Sequence, residues 1–419
     1  MKRAPVHNDL LCGIDIGTTK IATVIAEPIG QDDIRLLGIG CVPSRGLRRG
    51  VVINLEQTTE DIEYSLQQAE EMAGSSVHSV CVGVAGEHIK SINSRGAIPI
   101  SKSRSDPTGE VTQGDVDRVV EAARAIALPM DRRILHTLPQ EYVVDSERGI
   151  RAPVGMAGVR LEANVHIVTC AVSSVQNILT CCKRAGLGIA DIVLEPLASE
   201  ASVLTSDEKE LGVVLLDFGG GTTDIAAFHN GFIRHTAIVA LGGDYITRDI
   251  AVGLRTPVES AENIKIEHGA AHLRAIGQNE FLEIPGVGGR EPRVMSRSML
   301  VSIIAPRVEE ILTMAREELI RSRTLEHINA GVVITGGGAS MPGMAEIAEE
   351  IFAMPVRIGA PRDIVPNDEL ALGPKYSTAV GLARYAGRQT INRANADRGQ
   401  RAWAQQTTSR VKQWLQGVF

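Results

Sequence analysis

Near the start of the chain, short apolar runs alternate with polar or glycine-rich turns. Segments 10–17, 21–27 and 34–42 predict three short strands. The next segment has the 3.6-residue period of a helix, with Thr58 or Thr59 as cap, Ile62, Leu66, Ala69 and Met72 as the apolar stripe, and Gly74 as the stop. The β-branched run 77–85 predicts a buried strand. From 86 to 164 the texture changes to polar turns and an amphipathic helix at 115–128, ended by Pro129, which marks an inserted subdomain. The rhythm resumes with a strand at 165–172, a helix at 173–185 closed by Gly186, and a strand at 212–217 entering a hairpin. A long helix around 303–321, a strand at 331–335, a glycine turn and a helix at 344–352 follow. Residues 388–405 are polar without apolar period and read as a linker, and 408–419 regains helical spacing.

An internal near-repeat stands out of this pattern. The first copy is 13-GIDIGTTKI-21 and the second is 214-VLLDFGGGTTDI-225. Each is an apolar strand ending in an aspartate, then glycine, then a threonine pair, then a second strand; Asp15 and Asp217 hold equivalent places. Glycine lets main-chain amides in a tight hairpin approach a phosphate, and threonine adds short hydroxyl donors. That makes Gly17, Thr18 and Thr19, and Gly219, Gly220, Gly221, Thr222 and Thr223, candidate phosphate ligands, with Lys20 adding a point charge. A carboxylate at each strand end suits Mg²⁺ held through water, which selects Asp15 and Asp217. One such hairpin alone is a weak signal, more often a ligand-free strand turn; two facing each other would clamp a triphosphate. A third motif, 332-VVITGGGASMPGM-344, ends a buried strand in Gly336, Gly337 and Gly338, which let the backbone lie flat against adenosine.

Charge and composition narrow the classes. The net charge of −7 divides into about +5 from Arg388 onward and about −12 before it, and an acidic body argues against nucleic acid as a partner. Aromatic residues are only 3% of the chain, so Val, Ile, Leu and Ala must build the core. None of the six cysteines forms a CxxC pair, and several lie in apolar runs, as expected of buried thiols in a reducing cytoplasm. No apolar run approaches the length of a bilayer span, and the first residues lack a secretory signal. His268 and His272 are four apart but lack an HExxH context, so a solvent-facing helix is the simpler reading.

The order DxGTxK, 194-LEPLASEA-201, DFGGGTTD, TGGGAxMPG and 379-AVGLA-383 resembles the five-part ATP site of the actin/Hsp70/sugar-kinase superfamily. The likeness implies an α/β, actin-like (ribonuclease H-like) two-domain ATPase fold, ATP and Mg²⁺ as ligands, and close helix crossing at Ala379 and Gly381. Glu195 falls where that superfamily often orients the attacking water; it is equally a helix-start carboxylate ahead of Pro196. No separate general base is evident, so hydrolysis should be slow at most.

Over its whole length the chain is similar to the FtsA family of actin-like bacterial cell-division proteins. That resemblance divides it into subdomain 1A (1–85, 165–197 and 367–387), an inserted 1C (86–164), 2A (198–244 and 323–366), 2B (245–322), a linker (388–405) and a membrane-targeting helix (406–419). It implies self-association into filaments on the inner face of the cytoplasmic membrane at the division site. It also implies capture of the FtsZ C-terminal peptide by 2B and recruitment of other division proteins through 1C. In the 2B block 286-GVGGREPRVMSR-297, Arg290, Arg293 and Arg297 would meet an acidic peptide; a solvated basic loop reads equally well. An arginine-rich turn at 101–106 finds no role in the likeness. In the tail, Val411, Trp414, Leu415 and Val418 share one helix face with Phe419 adjacent, flanked by Arg410 and Lys412. Burying such a face is worth roughly 8–12 kcal/mol before ordering costs, so one copy should hold an anionic membrane weakly and linked copies firmly. A terminal helix docking on its own core is the alternative. A small-molecule kinase of the same superfamily is the competing function; it would need an acidic base over a substrate hydroxyl, which neither hairpin offers.

Overall fold

The computed structural model describes residues 10–29, 33–101, 109–365 and 372–399. The first lobe opens as an antiparallel meander of β1 (Leu11–Ile16), β2 (Lys20–Pro28) and β3 (Ile34–Pro43). A small hairpin, β4 (Leu47–Arg48) and β5 (Val51–Val52), precedes α1 (Leu55–Ala73), and β6 (Ser79–Val84) returns parallel to β1. Asn54, not Thr58 or Thr59, caps α1: its side chain accepts from the amides of Glu56 and Gln57 at 3.1 Å. Gly74 ends the helix in a left-handed conformation, and Ile62, Leu66 and Ala69 are buried. Met72 is 48% exposed, because the stripe drifts off the core face in the last turn.

The insert consists of β7 (Lys90–Pro99), α2 (Gln113–Arg124), β8 (Arg132–Val144), β9 (Glu147–Ile150) and β10 (Arg160–Ala171). Its sheet has the order β7-β10-β8-β9 and carries its own core of Ile100, Val119, Leu161, Val165 and Ile167. A reciprocal cap between Thr112 and Asp115 starts α2, which stops at Arg124, ahead of Pro129. The strand expected at 165–172 starts at Arg160 and pairs with β7 and β8 along its length, so the insert's sheet extends past residue 164.

The chain then forms α3 (Val172–Arg184), β11 (Gly188–Leu194) parallel to β6, α4 (Glu195–Val203) and α5 (Ser206–Leu211). The second lobe repeats the first: β12 (Val213–Phe218), β13 (Thr223–His229) and β14 (Phe232–Val239) form another antiparallel meander. After it come α6 (Gly243–Leu254), α7 (Val258–His268), a hairpin of β15 (Phe281–Ile284) and β16 (Arg293–Ser296), and α8 (Arg297–Arg321), which begins earlier than the periodicity suggests. Then β17 (Val332–Thr335), α9 (Met344–Phe352) and β18 (Val356–Ile358) complete a sheet ordered β14-β13-β12-β17-β18. The first lobe has the same order, β3-β2-β1-β6-β11, with β19 (Ile364–Val365) added at its edge. α10 (Ser377–Gly399) finally packs back on β1. It continues to Gly399, so the first part of the expected linker is helical, while Val411, Lys412, Trp414, Leu415, Val418 and Phe419 lie outside the described residues, as do most of 101–106.

Close crossings hold the two lobes together. A Cβ on Gly381 of α10 would lie 1.8 Å from the carbonyl oxygen of Ala198 in α4, and one on Gly13 would lie 2.4 Å from that of Ala379. Only glycine permits this approach, which explains the small residues read in 379–383. The insert docks on β14 through Gln140 Nε2, which donates to Ile233 O at 2.8 Å, and through the buried His166, bonded to Asn93 Oδ1 (2.6 Å) and Thr236 Oγ1 (2.8 Å). Burial lowers the His166 pKa to about 4, so this contact is built on a neutral imidazole.

Candidate functional site

The two repeats fold into the same turn. Gly17 N donates to Lys20 O and Gly219 N to Thr222 O, both at 3.0 Å, and a Cβ on either glycine would sit 3.0 Å from that same oxygen. The strand registers align Asp15 with Ala22 in the first hairpin and Asp217 with Asp224 in the second. This corrects the correspondence suggested by the threonine pairs. Thr18 and Thr19 form the first tip, whereas Gly220 and Gly221 form the second, and Thr222 occupies the place of Lys20.

The tips meet. A Cβ on Gly220 would lie 2.3 Å from Thr19 Cγ2, and one on Gly221 would lie 2.5 Å from Thr18 Oγ1. Part of the reason for three consecutive glycines is therefore tip-to-tip packing between lobes. The amides of Gly243 and Asp244, at the start of α6, take the carbonyls of Gly219 and Gly220 at 3.0 and 2.8 Å. Gly336 (φ 86°) has no room for a Cβ beside Asp217 and Phe218, and Gly338 packs on the Phe218 ring; Gly337 alone faces open space.

Behind the tips, four carboxylates and one ammonium group converge. Lys20 is ion-paired with Asp15, and that carboxylate holds the lysine pKa above its ordinary value although burial works against it. Asp217 Oδ2 accepts from Ser199 Oγ (2.7 Å) in α4 and Thr378 Oγ1 (3.1 Å) in α10. Burial raises the Asp217 pKa, the Ser199 bond opposes that, and Asp15 adds to it. Asp224 is pushed well up by burial and then by Asp217; its Oδ1 is buried without a hydrogen-bond partner, while Oδ2 accepts from Thr222 Oγ1 at 3.3 Å. Glu195 opens α4 ahead of Pro196, with its side chain laid over Gly83 of β6, where a Cβ would lie 2.9 Å from Glu195 Cγ. Burial, then Asp15, Asp224 and Asp217, raise its pKa well above the ordinary range.

Glu195 therefore starts a helix, as one sequence reading expects, and its carboxyl lies among the aspartates. Ser199, Thr378 and Asp224 are the neighbours of Asp217 that motif reading passed over. The first two sit inside LEPLASEA and just before AVGLA, and Asp224 closes DFGGGTTD, but only the fold turns their side chains toward Asp217 and the carboxylate cluster.

The cluster suits a divalent cation on two grounds: an unpartnered buried carboxylate oxygen, and acidic groups in excess of a single lysine. Among the described residues no group of three or more acidic, histidine or cysteine side chains is arranged to ligate a metal directly.

Comparison with known proteins decides the family. A family model described as cell division protein FtsA matches residues 214–381, and one described as the SHS2 domain inserted in FTSA matches 86–169. The chain is 46% identical to the cell division protein FtsA of Pseudomonas aeruginosa, over 98% of both chains. It is 39% identical to that of Escherichia coli K12, also over 98% of both. The chain belongs to the FtsA family. Solved structures show the actin-like fold. The PilM–PilN type IV pilus biogenesis complex superposes with a TM-score of 0.64 at 17% identity, covering 90% of this chain and 98% of that one. MreB5 of Spiroplasma citri bound to ADP superposes at 0.53 and 14% identity, covering 92% and 98%.

Within this FtsA-family chain the predicted 2B arginines divide. Arg297 is held internally by Glu280 Oε2 at 2.5 Å and by His268 O at 2.8 Å, and Arg293 donates to Leu254 O. These bonds secure the β15–β16 hairpin to the lobe; Arg290 and Arg293 are both exposed, and only Arg297 is half-buried. On the hairpin's outer face Phe281 and Val294 are exposed, while Leu282 and Ile284 point into the core. His268 and His272 do not share a helix: α7 ends at His268, and His272 Nδ1 accepts from Arg274 N at 3.1 Å to start a separate turn. No helix among the described residues is long and apolar enough to cross a membrane.

Proposed function

We propose that this protein binds Mg²⁺·ATP between its lobes and, in that state, assembles into filaments on the inner face of the cytoplasmic membrane at the division site. The filaments tether FtsZ through its C-terminal peptide. The observation that carries the reading is the pair of superposable hairpins, tip to tip, backed by Asp15, Asp217 and Lys20. Main-chain amides at both tips would hold the phosphates, and the turn at Gly337 would receive the adenosine. Asp15, Asp217 and Asp224 would hold Mg²⁺ through water, and the metal would neutralise phosphate charge.

Burial and the surrounding aspartates hold the Glu195 pKa well above the ordinary range; a cation in the cluster would oppose that shift and favour a carboxylate able to orient water. Arg290 with Phe281 and Val294 supports docking of an acidic, partly apolar peptide on the β15–β16 hairpin. The insert supports recruitment of other division proteins, since a cleft between it and the first lobe is lined by Pro129, Met130, Arg133, His136 and Tyr385. The 408–419 segment supplies the amphipathic face for an anionic leaflet.

Sedimentation with anionic vesicles and Mg²⁺·ATP tests the reading. The full chain should pellet and a version ending at residue 405 should not; equal behaviour of the two removes the membrane role. A kinase would be indifferent to that deletion.

A further inference from the structure

A third hairpin reaches the point where the two tips meet. β4 and β5 are joined by Arg49 (φ 51°) and Gly50 (φ 73°), consecutive left-handed residues that make a tight two-residue turn. Gly50 is fixed there, because a Cβ would lie 2.6 Å from Ala85 O. Its amide donates to Thr18 Oγ1 at 3.1 Å, which occupies a lone pair of the hydroxyl and leaves its proton free for an anion. On the other side, a Cβ on Gly221 would lie 3.0 Å from Arg49 Cα. One turn therefore touches both phosphate hairpins.

Arg49 also crosses between the lobes. Its guanidinium donates to the hydroxyl of Tyr245 in α6 and lies 5.5 Å from that ring's centroid. Arg248 and Arg307 approach the same ring at 5.6 and 5.7 Å. Arg307 is neutralised by Asp249 (2.6 Å) and Glu310. Arg49 has the exposed Glu87 3.7 Å away, and Arg248 interacts with Asp244 at the start of α6 without a close ion pair among the described residues. Arg49 thus brings a cation, held by no carboxylate closer than 3.7 Å, to the place where the tips converge, while the Asp15, Asp217, Asp224 and Glu195 carboxylates lie behind them. An anion rich in oxygens, such as a terminal phosphate, fits that position.

We propose that the Arg49–Gly50 turn is a third wall of the phosphate site. Arg49 binds the terminal phosphate of a nucleoside triphosphate, and its bond to Tyr245 keeps the lobes closed around it. The proposal rests on the nucleotide reading above, and the test separates the two.

Binding of fluorescent ATP and ADP analogues, with Mg²⁺, is measured for the full chain and for Arg49→Ala and Tyr245→Phe. Loss of one charge-assisted contact should weaken ATP binding about tenfold in Arg49→Ala while ADP changes by less than about twofold. Tyr245→Phe, which keeps the ring, should weaken ATP by about threefold and spare ADP. Equal loss of ATP and ADP, or no loss of either, overturns the role of Arg49. A silent Tyr245→Phe overturns the lobe-closing role. If the parent chain binds neither nucleotide, the nucleotide reading fails instead.

Discussion

The two phosphate hairpins share a backbone and differ in charge. The first has Asp15 opposite Ala22, with Lys20 at the turn's far corner; the second has Asp217 opposite Asp224, with Thr222 at that corner. Asp15 is answered by an ammonium group. Asp217 is answered by the hydroxyls of Ser199 and Thr378, and Asp224 Oδ1 by nothing. A duplicated scaffold therefore has one half that is electrostatically complete and one that holds surplus acid. A ligand bearing both anionic oxygens and a cation complements that asymmetry better than a symmetric one would. Making the hairpins alike should damage the site in a predictable order.

Lys20→Thr gives the first hairpin the second's corner residue and leaves Asp15 buried without its cation. The unfolding free energy should fall by about 3 kcal/mol, read from a urea midpoint at unchanged slope. Asp217→Asn keeps shape and hydroxyl contacts but removes charge. Magnesium-dependent ATP affinity should drop about 10–100-fold while metal-free binding moves far less, as calorimetry with and without chelator would show. Gly221→Ala pushes a methyl into Thr18 and should cost about 1–2 kcal/mol, whereas Gly337→Ala, facing open space, should stay within about 0.5 kcal/mol.

Asp224→Asn should have a modest effect on stability and change the shape of a pH profile. The unfolded carboxylate ionises in the ordinary range, whereas the folded one keeps its proton to well above it, so the native state binds more protons across that window. Stability from this group is complete at low pH and is lost as pH rises through the folded value. The variant should therefore be flatter with pH and about 1 kcal/mol more stable at neutral pH, measured by thermal melts. It should also bind Mg²⁺·ATP less tightly. A variant as steep as the parent would place the surplus acid elsewhere.

Much of this architecture was legible along the chain because it rests on local pattern. The meander strands, the glycine turns and the place of the insert follow from apolar runs and from turns too crowded to admit a Cβ. The helix start at Asn54 was not, because three side chains with cap chemistry stand within six residues and only the position of the first turn selects among them. Nor was the continuation of α10, where the polar sequence of the expected linker is still helical. The sequence alone established two aspartate–glycine hairpins, a third glycine turn and an insert with its own helix. Tertiary structure decided which residues match between the hairpins, because register is set by strand pairing and not by resemblance between letters. It also decided that Asp224, Ser199 and Thr378 face Asp217 and that Arg49 meets the tips of both hairpins. Asp224 is set opposite Asp217 by the hairpin's own register, whereas Ser199, Thr378 and Arg49 come from other elements, and the packing of two lobes whose glycines leave no space for anything larger brings them there.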